Sequence, residues 1–203
     1  YPYASPEIRV WRSDDHGDNW SVCFVQYGHI NNPKLGQIRH FHVVQNCTTY
    51  PNRWYLSSGD TECQSKMWVS DDDGLTWQNL NIDRVTNLSP NIPSELYGRL
   101  HRFTSMVQTM DYLIYPTDDT FNQSGSRICV ISKSNLSDIK ILDTCCGNNE
   151  MRNIIEVNKS MAIVFSESKF DKKQIDIAVI NTSKHEIVGV GKIPNKSNLK
   201  SNF

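Results

Sequence analysis

The chain has 203 residues, with 21 Lys and Arg against 22 Asp and Glu and a formal net charge of −1. A balance so near zero argues against nucleic acid as a partner, and no apolar run approaches the ~20 residues of a membrane-spanning helix. The first residues, YPYASPE, have neither the basic start nor the apolar run of a signal peptide. Without an initiator Met, the chain is expected to begin inside a longer protein.

Residues 7–27 read as two strands around a turn. In VWRSDDHGDNWSVC, Val10 to Cys23, strand composition at Val10–Arg12 gives way to Asp/Gly turn chemistry, and a Trp opens the next strand. Gly17 suits the left-handed conformation, and Asp15, two residues after Ser13, is placed to accept backbone N–H groups across the turn. Residues 38–82 read as four strands, the last two joined by MWVSDDDGLTWQNL, Met67 to Leu80. This is a second copy of the first stretch at a constant offset: Trp11/Trp68, Ser13/Ser70, Asp15/Asp72, Gly17/Gly74, Asn19/Thr76 and Trp20/Trp77. Repetition at such a period signals a repeat architecture. DDDG also resembles the start of a calcium loop, but the later ligands, notably the closing Glu, are missing. The turn therefore reads as structural, and no metal or cofactor is expected.

SPNIPSELYGR holds at most one short helical turn. Residues 100–143 repeat the preceding segment more loosely: Gln45 matches Gln108, Asp60 Asp119, Thr61 Thr120 and Ser70 Ser132, after which KSNLSDIKIL stands in the place of the acidic turn. Residues 151–190 keep the strand pattern without the motif residues, and QIDIAVIN alternates as a half-buried strand should. Blade ends are placed near 30, 82, 143 and 190, with 1–192 a single propeller segment and 193–203 a polar tail or linker. The fold class is all-β, a β-propeller of four-stranded antiparallel blades.

The pattern S-x-D-x-G-x-T-W resembles the Asp box, or BNR repeat, of the sialidase superfamily. Ser70, Asp72, Gly74, Thr76 and Trp77 fit it in full; Ser13, Asp15, Gly17 and Trp20 fit it with Asn19 in place of Thr. The stretch from Ile38 to Trp77 also resembles uncharacterised bacterial Asp-box proteins. The resemblance implies that each box sits between the third and fourth strands of a blade, and that the whole ring has six blades. The chain would then be a partial propeller of about three and a half blades; a small four-bladed ring is the alternative. The resemblance also points to a secreted or cell-surface location.

Strand direction sorts the loops. In an up-and-down blade the turns after strands one and three share a face, so the boxes point away from the starts of the inner strands. At those starts lie Arg39, His40 and His42, then Arg102, six residues before Gln108 as Arg39 is before Gln45, and then Arg152. Asp60, Glu62, Asp118, Asp119 and Glu167 lie at second-strand ends on the same face. Arg39, His40, Arg102, Arg152, Asp60 and Asp119 are the candidate ligand-binding set, because guanidinium groups bind carboxylate in a planar fork. The competing reading pairs Arg39 and Arg102 with Asp60 and Asp119 as structural bridges. His40 and His42 are expected on opposite faces of one strand. Trp20 and Trp77 are expected to be largely buried; Trp54, Tyr55, Trp68 and Trp77 read as blade packing rather than a sugar platform.

Sialidases use three arginines, an acidic Asp and a Tyr activated by a Glu. Tyr97 and Tyr112 are the tyrosines nearest the candidate arginines, and no F/Y-R-I-P stretch occurs. Catalytic residues are therefore unassigned. The leading expectation is a glycan-recognising propeller that takes acidic sugars at the channel mouth. A retaining exo-sialidase and a structural or protein-interaction propeller are the alternatives. Cys23 and Cys129 read as small buried hydrophobes; a Cys47–Cys63 disulfide is possible, and no oligomeric state follows. Eight Asn residues open N-x-S/T sequons, Asn19 inside a box among them.

Overall fold

The computed structural model describes residues 7–28, 38–59, 64–80, 100–118, 126–142, 150–167 and 174–194. Two compact units divide the chain, Tyr1–Phe103 and Thr104–Phe203. Unit one holds a two-stranded ribbon, β1 (Glu7–Arg12) and β2 (Ser21–Tyr27). It also holds a four-stranded sheet of β3 (Phe41–Asn46), β4 (Trp54–Ser58), β5 (Lys66–Ser70) and β6 (Gln78–Leu80). Unit two holds β7 (Val107–Gln108), β8 (Tyr112–Pro116), β9 (Ile128–Ser132) and β10 (Ile139–Leu142) in one sheet. Its second sheet is β11 (Glu150–Asn158), β12 (Met161–Glu167), β13 (Gln174–Asn181) and β14 (Glu186–Pro194). Every pairing within these sheets is antiparallel and between sequence neighbours. The fold is all-β, and its repeating unit is the four-stranded meander of a propeller blade. SPNIPSELYGR lies outside the described residues, and no described helix is long and apolar enough to cross a membrane.

The blades match step for step. Gln45 faces Tyr55, which faces Val69; Gln108 faces Leu113, which faces Ile131. Trp54 faces Ser70 as Tyr112 faces Ser132. One further bond recurs in all three four-stranded sheets, tying the turn after the third strand to the turn after the first. The N–H of Asp73 donates to Asn52 O at 2.7 Å, that of Lys133 to Asp111 O at 2.8 Å and that of Thr182 to Ser160 O at 2.9 Å. These two turns therefore share one end of each blade. Buried turn backbone needs such partners.

Each unit closes on its own core. In unit one, Val10 of the ribbon packs with Ile38, Leu56 and Trp68. Phe24 of β2 sits 5.6 Å from Trp68, 5.7 Å from Trp77 and 6.0 Å from Phe41, ring centre to ring centre. Ile38 also bridges to the ribbon, its N–H donating to Tyr27 O at 3.0 Å. In unit two, Ile114, Ile128 and Val130 of one sheet pack with Ile154, Val164 and Ile180 of the other. Full burial of a side chain of this size contributes about 1.5–3 kcal/mol. Alternation explains which residues point in: QIDIAVIN buries Ala178 and Ile180 and leaves Val179 between them half-buried. Cys129 and Cys47 are buried and Cys23 is half-buried. The Cys47 sulfur accepts the Tyr55 hydroxyl at 3.5 Å; Cys63, the other half of the expected pair, lies outside the described residues.

Candidate functional site

The two acidic turns are built bond for bond alike. In the second, Ser70 Oγ donates to Asp72 Oδ1 at 2.8 Å and accepts the N–H of Gly74 at 2.8 Å. Asp72 Oδ1 accepts the Thr76 N–H at 2.8 Å, and Oδ2 accepts the Thr76 hydroxyl at 2.6 Å. The Trp77 indole closes over the turn and donates to Gly74 O at 3.0 Å. In the first turn, Ser13, Asp15, Gly17 and Trp20 repeat each of these bonds. Asn19 replaces Thr76, its side-chain amide donating to Asp15 Oδ2 at 2.6 Å. Gly17 and Gly74 take φ of 97° and 83°, and His16 and Asp73 before them take 59° and 60°. Two consecutive left-handed residues explain why the second is glycine. The donors around Asp72 hold its carboxyl down to about 2, the Thr76 side chain contributing most. Asp15 is lowered in the same way, first by Asn19.

All three aspartates of the second turn are occupied by protein. Asp71 Oδ1 accepts Arg53 Nε at 2.5 Å, while Arg53 also lies over the Tyr50 ring. Asp72 holds its own turn. Asp73 accepts the Trp54 indole N–H at 2.8 Å and meets Arg12 of the ribbon at 3.1 Å. Arg12 also meets Asp14 at 2.6 Å. Arg12, Arg53 and the Asp71 and Asp73 contacts were not legible in the motif, because their partners come from other strands.

At the other end of the blades, Arg39 and His40 are exposed at the start of the inner strand. The His40 and His42 rings lie 4.7 Å apart, which corrects the expectation of opposite faces. Residues two apart on a strand share a face, and a bulge between Phe41 and Val43 displaces His42 from the ladder. Arg102 is only 8% exposed. It lies against the turn end of β4: a Cβ on Gly59 would sit 3.2 Å from Arg102 Cγ and 3.1 Å from Ser65 Cα. Gly59, with φ of 151°, is the residue that leaves room for this arginine. Ser57 Oγ donates to Phe103 O at 3.0 Å and anchors the same segment.

Unit two shows a related arrangement. Arg152 of β11 lies 3.5 Å from Asp118 at the end of β8, an ion pair with the arginine half-exposed and the carboxylate buried. Ser105 positions it: its hydroxyl donates to Arg152 O at 2.9 Å and accepts the Ile154 N–H at 2.9 Å. Asp60, Glu62 and Asp119 lie outside the described residues. Among the described residues, no group of three or more His, Cys, Asp or Glu comes together in a way that could hold a metal ion.

Two other expectations change. Trp20 is 60% exposed rather than buried. Trp77 has Phe24 of the ribbon against it, and among the described residues no ring plays that part for Trp20. Tyr112 opens β8 opposite Ser132, at the box end of the blade and away from Asp118, and it stacks edge-on against His185 at 4.1 Å. It is not placed with Arg152 of its own unit. Tyr97 lies outside the described residues.

No protein-family model matches the chain, and no curated protein matches it. Among solved structures it is similar to a eukaryotic initiation factor at 11% identity and a TM-score of 0.47, over 83% of this chain and 36% of that one. It is also similar to YCF48 from Cyanidioschyzon merolae at 14% identity and a TM-score of 0.34, over 91% of this chain and 66% of that one. The chain therefore spans about a third of the first protein's length and just under two thirds of the second's.

Proposed function

We propose that the chain is a glycan-recognising Asp-box propeller of the sialidase superfamily, binding acidic sugars, with no catalytic residue assigned. The bond-for-bond identity of the two boxes supports the superfamily. The observation that carries the ligand class is the placement of an arginine against the second-strand end of the preceding blade, Arg102 at Gly59 and Arg152 at Asp118. A guanidinium binds a carboxylate through a planar pair of donors. Arg39, exposed six residues before Gln45, adds charge at the same end of unit one. The exo-sialidase alternative gains nothing from Tyr112, which stands at the box end of its blade.

A structural or protein-interaction propeller is the second reading, and the Arg152–Asp118 pair favours it, since that carboxylate already engages the guanidinium. Calorimetric titration of N-acetylneuraminic acid into the chain, Arg39→Ala and Arg102→Ala distinguishes the two. Saturable binding weakened about tenfold or more in either variant supports the carboxylate role. Equal affinity in all three, or none in any, leaves the structural reading.

A further inference from the structure

The box end of unit one carries a cavity of about 360 Å³ that the acidic-sugar reading does not use. It lies between the ribbon and the β3–β6 sheet. Four tryptophans line it: Trp11 and Trp20 from the ribbon, Trp54 and Trp77 from the sheet. Large exposed apolar side chains are common singly on protein surfaces but are informative when gathered. Here Trp11 is 50% exposed, Trp20 60% and the neighbouring Val44 47%, all on one cavity.

The polar groups of the cavity have a definite character. Three indole N–H groups are spent on protein, on Gly17 O, Asp73 Oδ1 and Gly74 O. What those rings offer a ligand is carbon surface. The charged lining groups are Arg12, Asp14 and Asp73. Arg12 meets both carboxylates, so its charge is compensated and the trio carries one net negative charge. Asp14 meets Arg12 through Oδ1 with its side chain 68% exposed, which leaves Oδ2 open to a hydroxyl donor. A carboxylate accepts hydrogen bonds strongly and repels another anion.

We propose that this cavity is a binding site for an uncharged pyranose. A pyranose has flat C–H faces to lie on indole carbon and equatorial hydroxyls to donate to Asp14 and Asp73. Pockets of roughly 300–1,000 Å³ with aromatic walls and a few placed polar groups are the usual form of a small-ligand site. The net negative charge selects against acidic sugars, so this site and the arginine end differ in ligand charge. The proposal does not depend on the acidic-sugar reading.

The test is a saturation-transfer NMR and tryptophan-fluorescence titration with methyl glucoside, methyl galactoside and N-acetylglucosamine, on the chain and on three variants. Trp11 makes no side-chain hydrogen bond among the described residues, so Trp11→Ala is the variant least able to disturb the fold; an unchanged thermal midpoint verifies this. Trp20→Phe keeps a ring, and Val190→Ala, at an exposed position of β14 in unit two, is the control. At least one neutral pyranoside is expected to bind in the range of about 1–10 mM. Trp11→Ala should weaken it about fivefold or more and Trp20→Phe by less, with Val190→Ala close to wild type. Absence of binding by every neutral pyranoside, or binding indifferent to Trp11→Ala, overturns the proposal. So does choline competing for the same fluorescence change, because an aromatic cage with a carboxylate then takes a cation instead.

Discussion

Asn19 donates twice to Asp15, from its backbone N–H at 2.8 Å and from its side-chain amide at 2.6 Å. The amide occupies the place that the Thr76 hydroxyl takes at Asp72, so the departure from the motif conserves the bond. Asn19→Thr is therefore expected to leave the thermal midpoint unchanged, while Asn19→Ala lowers it by about 2–4 °C. Differential scanning calorimetry of both checks this; equal loss in both would mean that the side-chain bond is not what stabilises the turn. The same engagement is expected to keep the Asn19 sequon unmodified.

Acid should weaken the fold in two stages. Burial pushes His101 down from 6.5 to about 3. The unfolded chain then takes up a proton below pH 6.5 that the folded chain refuses, so stability is full above 6.5 and falls as pH drops towards 3. Asp72, held at about 2 against an ordinary 3.8, contributes stability that is present above 3.8 and lost as pH falls through 2. Urea midpoints measured from pH 7 to 3 should decline, and His101→Gln should flatten the first part. A level midpoint across that range would remove the buried neutral histidine from the account.

Two glycines are expected to respond oppositely to alanine. At Gly59 a Cβ would meet Ser65 Oγ at 2.8 Å and Ser65 Cα at 3.1 Å, in a backbone conformation that L residues avoid. Gly59→Ala should cost about 2 kcal/mol or more. At Gly189, on the β14 strand, the added carbon meets only Val179 at 3.8 Å, so Gly189→Ala should stay within about 0.5 kcal/mol of wild type or gain. Chemical denaturation of the pair decides it, and comparable losses at both positions would count against the close approach of Arg102 to Gly59.

Ser105 joins the segment before β7 to the bulged start of β11 through one hydroxyl. Ser105→Ala leaves the Ile154 N–H without that acceptor and should cost about 1–3 kcal/mol. Ser105→Thr, which keeps the hydroxyl, should retain more of the stability. If the two variants were indistinguishable by denaturation, the hydroxyl would not be the link between these strands.

The strand ladders were legible because the blades repeat: Gln45 and Gln108, and Ser70 and Ser132, hold equal positions in the pairing, as the sequence match implies. The box turns were legible because every partner lies within four residues of the aspartate. Partners brought in from other strands were not. Arg12 reaches Asp73 across 61 positions, and no local pattern marks that pair. Trp20 and Trp77 hold the same motif position but differ in exposure, since burial depends on what lies against the ring and not on the turn that carries it. The pairing of His40 with His42 was misjudged by the strand period itself, which puts residues two apart together.

The central claim is that the acidic turns are scaffold, with the carboxylate of each box held by its own backbone and hydroxyl or amide donors. It is tested most directly by the carboxyl carbon shift of Asp72, followed by NMR against pH, with and without calcium. The expected titration midpoint is about 2, well below the ordinary 3.8, and unmoved by millimolar calcium. A midpoint near 3.8, or a calcium-dependent shift, would contradict it and return the three aspartates to candidacy as a binding site.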